Sequence, residues 1–261
     1  MPVAAELYYS LYREAEKDTL PVVLMHGAAG NHLSWAAEIR RLKGFRIYAL
    51  DLPGHGKSAA LDAQQSVAGF ARKVIEWLET VGLHRAVFVG HSLGGAIALE
   101  LGIHYPEHVL GLGLVSTGVR LRVNPQLLEL ASSAATFYKA VDLIVANSFS
   151  QHAPARLVEL ATRRMAETRP SVLHGDLLAC TNFDVKEQVA TLRRPVLVIG
   201  GTKDQLTPLR YAQFMADTIP NARLHIISDA GHMVILERPL EVATALADFL
   251  RTIVYSPGEE V

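Results

Sequence analysis

Apolar and polar positions fall in blocks along the chain. Short apolar runs at residues 22–25, 46–50, 86–89, 109–115, 195–199 and 222–227 are each bounded by turn residues. Runs so short and continuous predict strands buried on both faces. Amphipathic segments of helical length lie between them, among them 67–81 and 208–219, and 239–254 predicts a last helix before a frayed tail at 256–260. Strands alternating with helices need right-handed crossovers, so the pattern predicts an α/β fold with a mostly parallel central sheet flanked by helices. Residues 7–13, with Tyr8, Tyr9 and Tyr12, are more polar and predict an antiparallel edge strand.

One interval breaks the alternation. Between residues 118 and 189 only helix-like stretches occur, at 125–146, 154–167 and 171–180. An all-helical insertion between two strands of a parallel sheet is expected above the strands' carboxyl ends. The expected division is therefore a core of residues 1–117 and 190–261 with a helical cap of residues 118–189 inserted in it. Of the apolar residues Leu127, Leu128, Phe137, Tyr138, Ile144, Phe149 and Phe183, most are expected to pack the cap onto the core. Phe137, Tyr138, Phe149 and Phe183 are the candidates for a pocket wall.

At 261 residues the chain has ample length for one full core with an insertion. Lys and Arg number 25 against 26 Asp and Glu, so no polyanion partner is implied and nucleic acid is excluded as an expectation. Cys180 is alone, so no intramolecular disulfide can form. Residues 1–6 lack the pattern of a signal peptide, and no run approaches the roughly 18 apolar residues of a membrane span. A cytoplasmic protein without stable membrane insertion is expected.

The chemistry concentrates at Gly90-His91-Ser92-Leu93-Gly94, which follows the apolar run 86–89 and precedes a helix-like stretch. A G-x-S-x-G between a buried strand and a helix is a turn that lifts a serine hydroxyl above the sheet edge, and its crowding requires small flanking residues. The hydroxyl becomes a nucleophile only when a base takes its proton, and a histidine oriented by a carboxylate does this. On a parallel sheet those partners lie on loops at the ends of later strands, in the order Ser, acid, His. Of 11 histidines, His232 follows the last apolar run and is the candidate base. Asp204 is the candidate acid, alone in the glycine-rich loop after 195–199, whereas Ser116-Thr117-Gly118 offers no carboxylate. Asp229, although nearer to His232, reads as a turn former. The oxyanion donors are expected to be the backbone amides of Leu93 and, within His26-Gly27-Ala28-Ala29-Gly30, of Ala28. His26 and His91 are expected to be structural hydrogen-bonding residues.

Other motifs carry less. Gly56-Lys57-Ser58 looks like the end of a phosphate-binding loop, but Asp51 stands where its first glycine is required, so the stretch reads as a turn. His104 and His108 have a helical metal-ligand spacing, but Pro106 lies between them and no second cluster supports them; no metal and no cofactor are expected. Arg163-Arg164 reads as a solvated face and Cys180 as a small core residue.

Together, His26-Gly27, Asp51-Leu52-Pro53-Gly54-His55-Gly56-Lys57-Ser58, Gly90-His91-Ser92-Leu93-Gly94-Gly95, Asp204 and Gly231-His232 resemble the landmarks of the α/β-hydrolase fold superfamily, in order and through nearly the whole chain. The resemblance implies an esterase-like serine hydrolase with a helical cap and a two-step acyl-enzyme route. The apolar insert and the lack of an obvious charged anchor point to a small-molecule substrate, a small or medium uncharged acyl ester. A C–C bond hydrolase, a lactonase or a perhydrolase on the same three residues are the alternatives, and a non-catalytic ligand receptor is the alternative of another class. Serine at the elbow, where dehalogenases and epoxide hydrolases carry aspartate, argues against those two.

Overall fold

The computed structural model describes residues 2–12, 19–62 and 64–256; Arg13 of the expected edge strand and the tail from residue 257 onward lie outside them. A hairpin of β1 (Val3–Ala4) and β2 (Leu7–Tyr12) opens the chain. It is followed by β3 (Pro21–Met25), α1 (Ala37–Arg40), β4 (Arg46–Leu50), α2 (Val67–Thr80), β5 (Ala86–His91), α3 (Leu93–His104) and β6 (Val109–Val115). Then come α4 (Pro125–Ala131), α5 (Phe137–Ala146), α6 (Ala155–Ala166) and α7 (Pro170–Asn182), with no strand among them. The chain re-enters the sheet as β7 (Val196–Gly201), α8 (Leu209–Thr218), β8 (Arg223–Ile227), α9 (Val234–Glu237) and α10 (Pro239–Leu250).

All strands join one sheet in the order β1-β2-β4-β3-β5-β6-β7-β8. The pairs β1–β2 and β2–β4 are antiparallel and the other neighbours are parallel. The chain runs from β3 to β4 on one side and crosses back to β5 on the other, so the winding reverses beside β3. Open α/β sheets form their ligand crevice at the carboxyl ends of the strands flanking such a reversal. Here Met25 of β3 stands in register with Gly90 of β5, which places the His26 loop beside the Ser92 turn.

Strand residues send alternate side chains to opposite layers. Val23, Met25 and Phe88 pack with Phe70, Val74 and Trp77 of α2, while Val22, Leu24, Val87 and Val89 pack with Ile39 of α1 and Leu246 and Phe249 of α10. The exception is β8. It closes the sheet as an edge, and Leu224 and Ile226 stay 36% and 43% exposed, so the buried strand predicted for 222–227 is corrected to a solvated one.

The helical insert has its own apolar cluster, built from Leu127, Phe137, Val141, Ile144, Leu173 and Leu177, which closes over Ala29 of the core. The single helix predicted over 125–146 is two. At the break, Ser132 Oγ donates to the Glu129 carbonyl at 2.7 Å and Thr136 Oγ1 to that of Leu130 at 2.6 Å. Such hydroxyls compete for the backbone groups a continuing helix needs. Among the described residues no helix is long and apolar enough to cross a membrane.

Candidate active site

Ser92 occupies a left-handed backbone conformation, φ 54° and ψ −115°, between β5 and α3. The turn closes only around glycine. A Cβ at position 90 would lie 1.9 Å from the Gly94 carbonyl oxygen, and one at position 94 would lie 2.2 Å from that of Met25. The strained residue is held from both sides: its amide donates to the Val115 carbonyl at 3.0 Å, and Thr117 Oγ1 donates to its own carbonyl at 2.8 Å. Over-determination of this kind is what keeps a costly conformation in place.

Asp204 and His232 meet from the loops after β7 and β8. His232 Nδ1 donates to Asp204 Oδ2 at 3.0 Å, with Oδ1 at 3.2 Å. The carboxylate also accepts the amides of Leu206 and Thr207 and the Thr207 hydroxyl, at 2.7–2.9 Å. Burial alone would raise the Asp204 carboxyl, but the facing His232 and these donors outweigh it and hold it below its usual range. An ionised Asp204 on Nδ1 leaves Nε2 of His232 as the ring's proton acceptor. His91 supports the loop from beneath, donating from Nε2 to the His232 carbonyl at 2.9 Å with the two rings 4.9 Å apart. Asp229 adopts φ 54° and turns away to His152, at 2.8 Å.

Ser92 and His232 line one cavity of about 400 Å³, without a direct hydrogen bond between them. Such bonds are often long in unliganded sites. Ala28 lines the same cavity. Leu93 is buried as the first residue of α3, so its amide is one of those the helix leaves unused. Among the described residues neither the Ala28 nor the Leu93 amide has a protein acceptor.

The insert is fastened to both sides of this cavity. Asp176 of α7 reaches the core, where its Oδ2 accepts the Ala29 amide and the His55 Nε2 proton, both at 2.9 Å. His55 Nδ1 donates to the Pro53 carbonyl at 3.0 Å, so both ring nitrogens face acceptors. Burial pushes His55 down, but the Asp176 carboxylate prevails and raises it. On the other side the Met233 amide donates to the Ser148 carbonyl at 2.9 Å. There Glu237 accepts the amides of Ser150 and Gly231 at 3.0 and 2.9 Å. His26 lies under the first side, donating from Nδ1 to the Gly27 carbonyl at 2.7 Å and accepting the Leu52 amide on Nε2 at 3.1 Å.

The expected pocket wall is corrected in three of its four members. Phe149 lines the cavity, but Phe137 and Phe183 point into apolar clusters at 3% and 5% exposure, and Tyr138 faces solvent at 66%. Apolarity marks residues of the insert without saying which side of it they occupy. The wall is made instead by aliphatic residues such as Leu127, Leu143, Leu157 and Met165. Two arginines, Arg122 and Arg164, also line it, and no acidic residue does. The solvated face expected of Arg163-Arg164 therefore holds for Arg163, paired with Glu159, but Arg164 rims the cavity. Asp176 and Arg122 were not foreseen. An acid within the apolar run Leu173–Cys180 was a usable signal for the first; no pattern marks the second.

Lys57 of the phosphate-loop-like segment is occupied by Tyr8, with its Nζ 4.3 Å from the ring centroid and 3.1 Å from the hydroxyl. Asp51 accepts the His32 and Lys57 amides at 2.6 and 2.8 Å, which makes the segment a turn.

Comparison with known proteins agrees with this fold. A family profile described as alpha/beta hydrolase fold matches residues 21–239. A putative carbamate hydrolase RutD of Pseudomonas savastanoi pv. phaseolicola is 28% identical over 94% of this chain and 98% of its own. A solved structure of a thermophilic esterase is 37% identical over 94% of both chains, with a TM-score of 0.79. The enol-lactonase of Burkholderia xenovorans LB400 superposes with a TM-score of 0.88 over 94% of this chain and 96% of its own, at 23% identity, a likeness of fold. The chain belongs to the α/β-hydrolase fold family.

Proposed function

We propose that the protein is a serine hydrolase that cleaves carboxylic esters through an acyl-enzyme intermediate. The observation that carries this reading is the convergence of Ser92 and the Asp204-bound His232 on one cavity. Ser92 Oγ attacks the ester carbonyl while His232 Nε2 takes its proton. Asp204 holds the imidazole in the tautomer that leaves Nε2 free and stabilises the imidazolium that forms. The Ala28 and Leu93 amides receive the negative charge that develops on the carbonyl oxygen. His232 returns its proton to the departing alcohol, and water activated by the same nitrogen then releases the acid.

The aliphatic wall suits an apolar acyl portion, and the 37% identical thermophilic esterase supports ester chemistry. The test is turnover of p-nitrophenyl butyrate together with labelling by a fluorophosphonate. The native protein is expected to hydrolyse the ester and to take the label at Ser92. Ser92→Ala is expected to lose both, with turnover down by several orders of magnitude and a melting temperature within a few degrees of the parent. Undiminished turnover in that variant overturns the mechanism.

A further inference from the structure

A second cleft, of about 460 Å³, adjoins the first and is of different character. Its lining consists of Arg120, Arg122, Lys186 and Arg210 with Val119, Tyr211 and Phe214, and includes no carboxylate. The chain as a whole is balanced, 25 cationic residues against 26 acidic, so this concentration of positive charge is local. One neighbouring acid, Asp184, pairs with Arg120, whose Nε donates to it at 2.7 Å, and also feels the charge of Lys186. Arg122 and Arg210 have no carboxylate partner among the described residues. Two of the cations are set against rings: Arg210 lies 5.4 Å from the Tyr211 centroid and Lys186 5.8 Å from that of Phe214. Such contacts fix a cation in place without neutralising it. Like charges gathered this way repel one another, and an anion seated among them relieves the repulsion.

Arg122 is a residue common to the two cavities. It lines both, on the short segment that leaves β6 for the insert. A ligand with its reacting carbonyl at Ser92 that follows the aliphatic wall as far as Arg122 meets a side chain that also belongs to the basic cleft. We infer that the substrate carries, at the end remote from its scissile carbonyl, an anionic oxygen group, carboxylate or phosphate, that seats in this cleft against Arg122, Lys186 and Arg210. The inference rests on the ester-hydrolase reading above and narrows it, because an uncharged acyl ester would leave the cleft unused. Arginine suits the role, since its planar fork meets either anion bidentately.

The test compares p-nitrophenyl hexanoates that carry a methyl, a carboxylate or a phosphate at the far end. At low salt at least one charged member is expected to exceed the methyl member in kcat/KM by roughly tenfold, the scale of a charge-assisted hydrogen bond. The ratio between carboxylate and phosphate identifies the anion. The preference is expected to shrink with added salt and to vanish in Arg122→Gln and in the double variant Lys186→Gln/Arg210→Gln. All three side chains are solvent-exposed, and urea unfolding of each variant checks that the fold is kept. A charged series no better than the methyl member, or a preference that survives both variants, overturns the inference. If no member is turned over, the ester reading fails instead. Calorimetric binding of monohexyl phosphate, hexanoate and hexanol to Ser92→Ala then decides the question alone. Binding of either anion tenfold tighter than hexanol, and lost in the cleft variants, upholds it; equal binding overturns it.

Discussion

Asp176 and His55 form a buried ion pair, 2.9 Å apart with both side chains at 1% exposure or less, between the helical insert and the core. The same carboxylate oxygen accepts the amide of Ala29, next to the proposed oxyanion donor Ala28. Removing one partner of such a pair leaves a buried charge uncompensated, at a cost of about 3–5 kcal/mol, whereas replacing both by apolar groups is often near neutral. Asp176→Ala is therefore expected to lower unfolding stability by that amount, and Asp176→Leu/His55→Leu to recover most of it. The double variant is not expected to recover kcat on a p-nitrophenyl ester, because the Ala29 amide remains unheld. A double variant whose loss equals the sum of those of Asp176→Leu and His55→Leu would contradict the pairing.

The histidines also set a pH profile for stability. Burial, with His55 beside it, lowers His26 to about 3, and burial with His232 beside it does the same to His91. Their unperturbed value is 6.5, so between pH 6.5 and about 3 the unfolded chain binds protons that the fold refuses. Stability falls as pH falls through that window, by about 1.4 kcal/mol per unit for each histidine. His55 acts in the other direction. Its raised value gives a contribution that is full below pH 6.5 and is lost as pH rises through the folded value. Urea midpoints measured from pH 4.5 to 8.5 are expected to peak near 6.5; a midpoint that climbs on acidification would contradict the burial of neutral imidazoles.

Asp204→Asn keeps the size of the side chain but lets the amide donate to His232 Nδ1, which favours the tautomer with its proton on Nε2. Turnover of an ester substrate is expected to drop by about 10⁴. Circular dichroism should stay native, since the backbone donors of Leu206 and Thr207 can still meet the amide oxygen. A loss smaller than tenfold would remove Asp204 from its proposed role.

Gly90→Ala is expected to prevent folding. The added methyl would overlap the Gly94 carbonyl, which is backbone fixed by β5 and α3 and has no side chain to rotate away. Recovery of soluble, cooperatively unfolding protein would disprove that crowding. Ser92→Ala offers the comparison, since it keeps the turn and removes only the hydroxyl.

Cys180 lines the cavity at 6% exposure, and burial followed by the Asp176 charge raises its thiol far above the ordinary range. The thiolate is the reactive form. Iodoacetamide at pH 8 is expected to leave the native protein unmodified over hours and to label it within minutes in urea. Labelling at equal rates would place the thiol in solvent.

Much of this was legible in the sequence wherever a pattern repeats or a motif is local. The strands 46–50 and 109–115 are found with the bounds read from the apolar runs, because such runs end where the sheet ends. Ser92 stands out by its local motif, Asp204 and His232 by their positions after successive apolar runs, and the last two meet by hydrogen bond. The insert was less legible. Its break at Ser132 depends on hydroxyls folding back onto the helix, and its inward face depends on how four helices dock, which periodicity does not encode. Asp176 pairs across 121 residues and Arg122 gains its meaning from two cavities, and neither relation has a local trace.

The double fastening of the insert has a consequence for traffic into the cavity. A roof pinned along two eaves does not lift off in one piece, since that would tear Asp176 from Ala29 and Glu237 from Ser150 together. Neither fastening lies on α6, which packs its half-buried Leu157, Val158, Ala161 and Met165 on the insert's own cluster and places Arg164 Nη1 3.5 Å from the Leu33 carbonyl. Leu160 and Arg164 of that helix line the cavity, so a change on this wall would reach the substrate space without touching the two fastenings that hold the oxyanion loop and the imidazole.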